Sequence, residues 1–513
     1  MYIETSVKMS DGVKLRTIVF KHTTDPAPKP VILLRTPYLY KDGKFRSDRF
    51  EPEAKYYESL GYHFVLQAIR GTHGSEGEFK LLNPMEINDG YDTLKWITEQ
   101  EFSNGNIGVS GVSYEGFTAL AAGIKFHPAL KVIFAAGSPT NIFTDYFVQN
   151  GVLDLNTLDY LRYCITGEGW ASTPGFSKLT SEIIQEPNLL AYDDILFNRS
   201  FEEWKVIAKN YPDPNAALWK ERQIFDQLKE IRTPTYHIAG LRFDGNSSDV
   251  IRNFQEIERH SKYKKNHNLI LGYWDHGDFL PHDESYGNTF MKQQYESALG
   301  YYLKGAIKTI EHSRVTISSN FNDKYLSGDA FPLTSFKYQK LYLNRDNKNS
   351  FLSSSFKSKE ESSKYAFLPF ENNNWDGIQN LDFKYEVTKQ MPLLGTIEIE
   401  VFIRINTPQT DIMFFFYKQT EDGKMHYYGC RPAQKVIGSD NGIQKIKLAT
   451  CPIRDLLNPG DKLGFEISSN NFPTRVRNRN NPIAGYFVSF TKAEVEVLHS
   501  EKYPSSIILM LEN

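Results

Sequence analysis

Cysteine is scarce in this 513-residue sequence: Cys164, Cys430 and Cys451 are the whole complement. Three scattered thiols build neither a disulfide framework nor a zinc cage. An excess of one charge is missing too. Lys plus Arg number 59 against 62 Asp plus Glu, so the electrostatic surplus behind non-specific nucleic-acid binding is absent. No apolar run approaches the ~20 residues that span a bilayer. The opening MYIETSVKMSDGVKLR carries an early acid and no apolar core, unlike a secretory signal. Neither H-E-x-x-H nor C-x-x-C occurs, which leaves metal chemistry without support. The expectation is a cytoplasmic protein with no cofactor and no nucleic-acid or membrane partner.

What is present is an ordinary globular balance, 40% hydrophobic and 24% charged, with aromatics at 14%. The length calls for more than one domain. The first third alternates strands and helices. Residues 31–35 (VILLR) and 62–69 are short apolar runs of buried-strand type, and a Gly-rich loop, Arg70 to Gly77, follows the second. Ile87, Tyr91, Leu94 and Ile97 repeat at helical spacing, which predicts a helix over 86–98. Residues 106–112 and 131–136 read as strands separated by a small-residue helix, FTALAAGIKF. This alternation predicts an α/β core with a mostly parallel sheet. Residues 141–230 carry Leu and aromatics at helical spacing, as a helical insertion would. Strand signals return at 235–239 and 268–272, and an amphipathic helix is expected near 288–304. From about 331 onward, short β-rich runs separated by Gly, Asn, Asp and Pro turns predict a β-sandwich.

The sharpest local feature is Gly111-Val112-Ser113-Tyr114-Glu115-Gly116 at the junction of a predicted strand and helix. That is the setting of a nucleophile elbow, where a strained Ser needs small neighbours. The common G-x-S-x-G spacing fails by one position, because Glu115 stands where Gly would be. A Ser in an ordinary tight turn would look the same. In its favour, the Tyr114 amide would open a helix and could stabilise an oxyanion. A Ser nucleophile needs a base and an orienting acid, which in doubly wound hydrolases follow in the order Ser, acid, His. His276, in G-Y-W-D-H just past a buried strand, fits the base. Asp244, in F-D-G past the preceding strand, fits the acid; Asp249 is its rival, further along and on an expected helix. His237 reads as a core residue, whereas His260, His267, His282, His312, His426 and His499 lie in polar surroundings that suggest solvation. The Gly-rich loop lacks both the P-loop ending and the dinucleotide spacing, so its reading is structural.

Together these pieces resemble the CocE/NonD family of serine hydrolases, the group around bacterial cocaine esterase, related to X-Pro dipeptidyl-peptidases and α-amino-acid ester hydrolases. The motifs that carry the resemblance are R-T-P-Y ending at Tyr38, R-G-T-H-G-S-E-G, D-G-Y-D-T-L-K-W from Asp89 to Trp96, G-V-S-Y-E-G, F-D-G and G-Y-W-D-H. The resemblance implies an α/β-hydrolase core in two parts, 1–140 and 231–330, with a helical cap at 141–230 and a jelly-roll β-domain at 331–513. It implies Ser113 as nucleophile, His276 as base, Asp244 as its orienter, and Tyr38 with the Tyr114 amide as oxyanion donors. The substrate would be a small ester or amide, or alternatively a short X-Pro peptide. The peptidase must hold a free amino group, for which cap carboxylates such as Asp145 and Asp154 are candidates. A catalytically dead scaffold with a carbohydrate-binding β-domain is the rival of another class. By analogy a homodimer is allowed. The chain departs from the family pattern at Ala68, at Arg242-Phe243 where Trp-Tyr is common, and at Gly272-Tyr273-Trp274 where G-P-W is common. Arg242 either contacts an anionic substrate group through a bidentate fork or points to solvent or a nearby carboxylate.

Overall fold

The computed structural model describes residues 2–21, 27–145, 147–168, 186, 188–211, 213–241, 246–272, 274–276, 289–307, 313–319, 324–333, 336–347, 349–369, 380–429, 432–438, 442–471, 474–481 and 491–512. Among these, ten strands build one sheet: β1 (Tyr2–Lys8), β2 (Lys14–Phe20), β3 (Lys29–Thr36), β4 (His63–Ala68), β5 (Ser103–Val112), β6 (Leu130–Ala136), β7 (Thr235–Gly240), β8 (His267–Gly272), β9 (Val315–Ser319) and β10 (Lys324–Gly328). Their spatial order is β1-β2-β4-β3-β5-β6-β7-β8-β9-β10. Neighbours from β4 through β9 run parallel, with antiparallel pairs at both ends. The helices are α1 (Ser47–Ser59), α2 (Glu86–Thr98), α3 (Tyr114–Ile124), α4 (Asn156–Thr166), α5 (Tyr192–Phe197), α6 (Glu202–Asn210), α7 (Ala217–Glu221), α8 (Ser247–His260) and α9 (Thr289–Lys304).

The apolar runs in the parallel strands are unbroken because both sheet faces are covered. In β3, Val31 and Leu33 join a core with Leu94 and Ile97 of α2 and with Phe117 and Leu120 of α3. The alternate residues, Ile32 and Leu34, pack on the opposite face against Phe50 and Tyr57 of α1 and Tyr295 and Leu299 of α9. The predicted strands and helices of this part all occur at the expected places. The β1–β2 hairpin has no counterpart in the sequence reading, because β1 is an edge strand whose residues are mostly exposed and carry no apolar run.

Two histidines differ from expectation. His267 is fully buried at the start of β8: its Nε2 donates to the Ile231 carbonyl (3.1 Å), leaving Nδ1 to accept from His237 Nε2 (3.1 Å). Burial holds both rings below the usual imidazole range, His267 at about 4. The polar N-H-N context hid this, because His267 is buried while its neighbours Asn266 and Asn268 are not. His499 is buried between the Ser358 and Ser363 hydroxyls (2.9 and 2.8 Å). His260 and His426 are exposed; His282 and His312 lie outside the described residues.

Beneath the sheet edge sits a buried charge cluster. Arg35, fully buried in β3, reaches Glu86 of α2 (2.8 Å) and the Gln67 side-chain oxygen of β4 (2.8 Å). Asp89 of α2 lies 3.7 Å from Arg35 and takes both Nε and Nη2 of Arg70 (2.8 and 2.6 Å). Arg70 also reaches Asp11 (3.0 Å). The R-T-P-Y, R-G and D-G-Y-D motifs, far apart in sequence, thus converge on one ionic knot. The Gly-rich loop closes on it: a Cβ at Gly71 would lie 2.0 Å from the Phe79 nitrogen.

Residues 141–230 contain α4 to α7 and a minimal hairpin, Val148–Gln149 with Val152–Leu153. Among the described residues, thirteen further strands between Phe336 and Glu512 form a second hydrogen-bonded network. Its longest member, Met391–Ile405, pairs in turn with Ile453–Leu457, Ser506–Glu512, Gln444–Ala449 and Ala493–Leu498. A register shift between Leu393 and Ile397 brackets Gly395, at φ 132°. A Cβ there would meet Met510 Sδ at 2.2 Å, so the bend requires glycine. The helical insertion is sewn to this β-rich region. Asp411 accepts from the Tyr211 hydroxyl (2.9 Å), Lys435 Nζ (3.2 Å) and Asn478 Nδ2 (2.7 Å), all buried. Main-chain bonds add Lys435 to Asn150, Leu155 to Thr474 and Val476 to Leu153.

Removing one partner of a buried ionic cluster strands the rest, at about 3–5 kcal/mol. Arg35→Leu is therefore expected to lower the urea midpoint sharply, and pairing it with Glu86→Leu to recover part of the loss. An Arg35→Leu protein as stable as the parent would remove the knot from its structural role.

Candidate active site

The parallel register brings the ends of four strands into line. Val112 pairs with Ala136, Ala136 with Ile238, and Gly240 with Gly272. Ser113, the segment after β7 and the segment after β8 therefore leave the same edge of the sheet, where open α/β folds carry their sites.

Ser113 is the hinge between β5 and α3, with φ 63° and ψ −125°. A non-glycine residue held there stores of order 1–3 kcal/mol of backbone strain. The strain is held by the Ser113 amide donating to the Ala136 carbonyl (2.8 Å) and by Phe117 N donating back to the Ser113 carbonyl (3.1 Å). The flanking glycines are sterically required. A Cβ at Gly111 would sit 2.1 Å from the Glu115 carbonyl oxygen, and one at Gly116 would sit 2.3 Å from Ser138 Oγ. After the serine, the close approach that defeats a side chain falls at 116, while Glu115 in the intervening place has its carboxylate on Thr36 and Arg49. The Tyr114 amide begins α3, where an N–H has no carbonyl of its own helix to bond.

Tyr38 is buried just past β3. Its phenol lies 2.7 Å from the Tyr160 phenol, and its ring stacks on Tyr163 at 5.6 Å. Burial raises its pKa strongly; side-chain hydrogen bonds to Tyr160 and Ser113 act in the opposite direction. The turn before Tyr38 is clamped from two sides. His73 Nε2 donates to the Pro37 carbonyl (2.6 Å), and the Tyr38 amide donates to Thr36 Oγ1 (2.9 Å). Burial keeps the His73 pKa below its ordinary value, matching a neutral donor.

His276 is half-buried in the segment after β8. Trp274, two residues earlier, is buried with its ring against Gly272: a Cβ at Gly272 would fall 1.8 Å from Trp274 Cζ3, and one at Gly240 2.2 Å from the Trp274 carbonyl oxygen. Both strand-end glycines thereby fix the backbone that carries His276. Asp244 and Arg242 lie outside the described residues. Asp249 is on α8 as expected, 3.1 Å from Arg252. The two carboxylates considered for a substrate amino group, Asp145 and Asp154, are already engaged. Asp145 accepts from the Thr140 and Asn141 amides (2.5 and 2.8 Å) and pairs with Arg252. Asp154 accepts from the Asn156 amide (2.8 Å) and lies 3.5 Å from Arg475. Four neighbours of the site were not read from sequence: Thr36, Arg49, Tyr160 and Glu115 in its actual role. Only Glu115 carried a signal, as the residue that breaks the usual glycine spacing.

The model of the X-Pro dipeptidyl-peptidase (S15) family matches residues 11–278, more than half of the chain. The chain belongs to this family. It is similar to the cocaine esterase of Rhodococcus sp. (strain MB1 Bresler), at 24% identity over 92% of its own length and 91% of the relative's. Two solved structures share the fold. One is an aminopeptidase from the marine sediment archaeon Thaumarchaeota archaeon, with TM-score 0.82 at 19% identity over 100% of this chain and 97% of that one. The other is an α-amino acid ester hydrolase, with TM-score 0.81 at 19% identity over 100% and 96%. The S15-family chain is accordingly a serine hydrolase of the esterase or X-Pro dipeptidyl-peptidase type with an α/β-hydrolase fold.

A second buried carboxyl flanks the site. Glu53 of α1 is 1% exposed, and burial raises its pKa to about 8, against the pull of Arg49 and with a push from Glu115. The folded protein then holds a proton that the unfolded chain releases. Stability is expected to fall as pH rises from the ordinary glutamate range, near 4.5, toward about 8, and to level above it. Glu53→Gln should lose this slope, its advantage over the parent growing up to that pH in urea unfolding series; a constant difference would contradict the assignment.

Proposed function

We propose that this S15-family hydrolase cleaves a small ester or amide through an acyl-enzyme. Ser113 attacks the carbonyl carbon while His276 takes its proton, and Asp244 orients His276. The Tyr38 phenol and the Tyr114 amide receive the oxyanion. His276 then protonates the leaving group, and water repeats the sequence to release the acid. The observation that carries this reading is the strained Ser113 at the start of α3, on the sheet edge that the segment bearing His276 also leaves. A Tyr hydroxyl suits the role because it donates to a developing oxyanion without bringing a full charge.

In this reading 1–140 and 231–330 form the core, 141–230 the helical cap and 331–513 a jelly-roll β-domain, and the protein acts in the cytoplasm, with a homodimer allowed by analogy. Esterase or acylase activity comes first, in keeping with the similarity to cocaine esterase. The X-Pro peptidase alternative needs a carboxylate for the substrate's amino group. Asp145 and Asp154 are both consumed by arginines and main-chain amides, so that role would fall to another residue.

A fluorophosphonate probe should label Ser113, located by peptide mapping, and Ser113→Ala should abolish labelling and lower kcat by up to ~10⁶. Tyr38→Phe should cost about 10²–10³ in kcat. Absent labelling of a folded protein, together with a glycan-array signal that survives Ser113→Ala, would favour the carbohydrate-binding scaffold instead. For Arg242, the expected outcome of Arg242→Ala is a selective loss of turnover on acidic over neutral esters; unchanged selectivity would remove it from substrate recognition.

A further inference from the structure

Glu115 is the unexplained residue of the elbow. It is 1% exposed, in the first turn of α3, two residues past Ser113. An ionised carboxylate in such a place costs several kcal/mol unless it is paired and hydrogen-bonded, and packing alone would be served by a glycine or an apolar residue. Its two oxygens are both used. Oε2 pairs with Arg49 of α1. Oε1 accepts from Thr36 Oγ1 at 2.6 Å. A hydroxyl has one proton, so with that proton given to Glu115, Thr36 Oγ1 is left as an acceptor, and it accepts the Tyr38 amide at 2.9 Å. The chain of bonds therefore has one direction: Tyr38 N–H to Thr36 O–H to the Glu115 carboxylate. The charged terminus strengthens both links. Arg49 closes the figure with its guanidinium 6.0 Å from the centre of the Tyr38 ring.

We propose that Glu115 and Thr36 are positioning residues that lock the Tyr38 turn to the nucleophile elbow. The proposal rests on the reading of Tyr38 as oxyanion donor. Because Glu115 belongs to the same helical turn as Ser113, any displacement of the elbow carries the Tyr38 backbone with it, and the phenol keeps its place relative to the Ser113 oxygen. Neither residue touches substrate. They act on kcat through the placement of a group that matters only when negative charge develops.

The test is a double-mutant cycle on p-nitrophenyl acetate hydrolysis, with the rate of fluorophosphonate labelling as a readout independent of turnover. Thr36→Val removes the hydroxyl at nearly constant shape. It should lower kcat about 10- to 100-fold, the scale of a small misplacement of a catalytic group, with KM little changed, and Thr36→Ser should restore it. Placed on Tyr38→Phe, the same substitution should add almost nothing, since the phenol it positions is gone. Glu115→Gln supplies a second, near-isosteric break with the same expectation should Thr36→Val fold poorly. Full retention of kcat in both variants, or an undiminished loss on Tyr38→Phe, would overturn the relay and leave the pair a purely structural contact. Failure of the underlying reading looks different: there Tyr38→Phe itself leaves kcat and labelling unchanged.

Discussion

The arrangement of this molecule hangs on a set of charges almost wholly withdrawn from water. Arg35, Arg70, Glu86 and Asp89 are all nearly inaccessible, and each is tolerable only because the others are present. Arg35 is the last but one residue of β3, so the knot that holds its guanidinium also fixes where the chain leaves the sheet. The turn to Tyr38 begins at the next residue. The turn that carries Tyr38 is thus anchored by an ionic cluster as well as by the hydrophobic core.

The second constraint is spatial exclusion at the elbow. Gly111 and Gly116 give room to backbone and to Ser138, and that room lets a residue with a side chain stay in a left-handed conformation at 113. Glu115 shows that the usual small-residue rule is a statement about distances, not about positions. What must be empty is the volume next to the Ala136 carbonyl and Ser138, and in this chain residue 116 faces that volume.

The core's strands and helices were legible because burial on two faces leaves unbroken apolar runs, as at 31–35, and burial on one helix face leaves a spaced stripe, as at Ile87, Tyr91, Leu94 and Ile97. The β1–β2 hairpin was not, because an exposed edge strand needs no such pattern. Ser113, Tyr38 and His276 were singled out from motifs, and the fold places each just past the end of a strand of the sheet. The support beneath them could not be read that way: Thr36 and Glu115 are 79 residues apart and meet only because β3 and β5 are parallel neighbours. Tyr160 reaches Tyr38 from across 122 residues with no motif at all. His267 and His499 misled because local polarity reports the composition of a segment, whereas burial is decided by which single residue turns inward.

The seam between the helical insertion and the β-rich region has a consequence for divisibility. Asp411 is served by Tyr211 from the insertion and by Lys435 and Asn478 from its own side, while main-chain bonds stitch Asn150, Leu153 and Leu155 across the same boundary. The boundary is therefore built from both sides. Cutting the chain ahead of residue 331 would leave the insertion with dry, unanswered polar groups on one flank, so the insertion and the β-rich region are expected to fold as one cooperative unit.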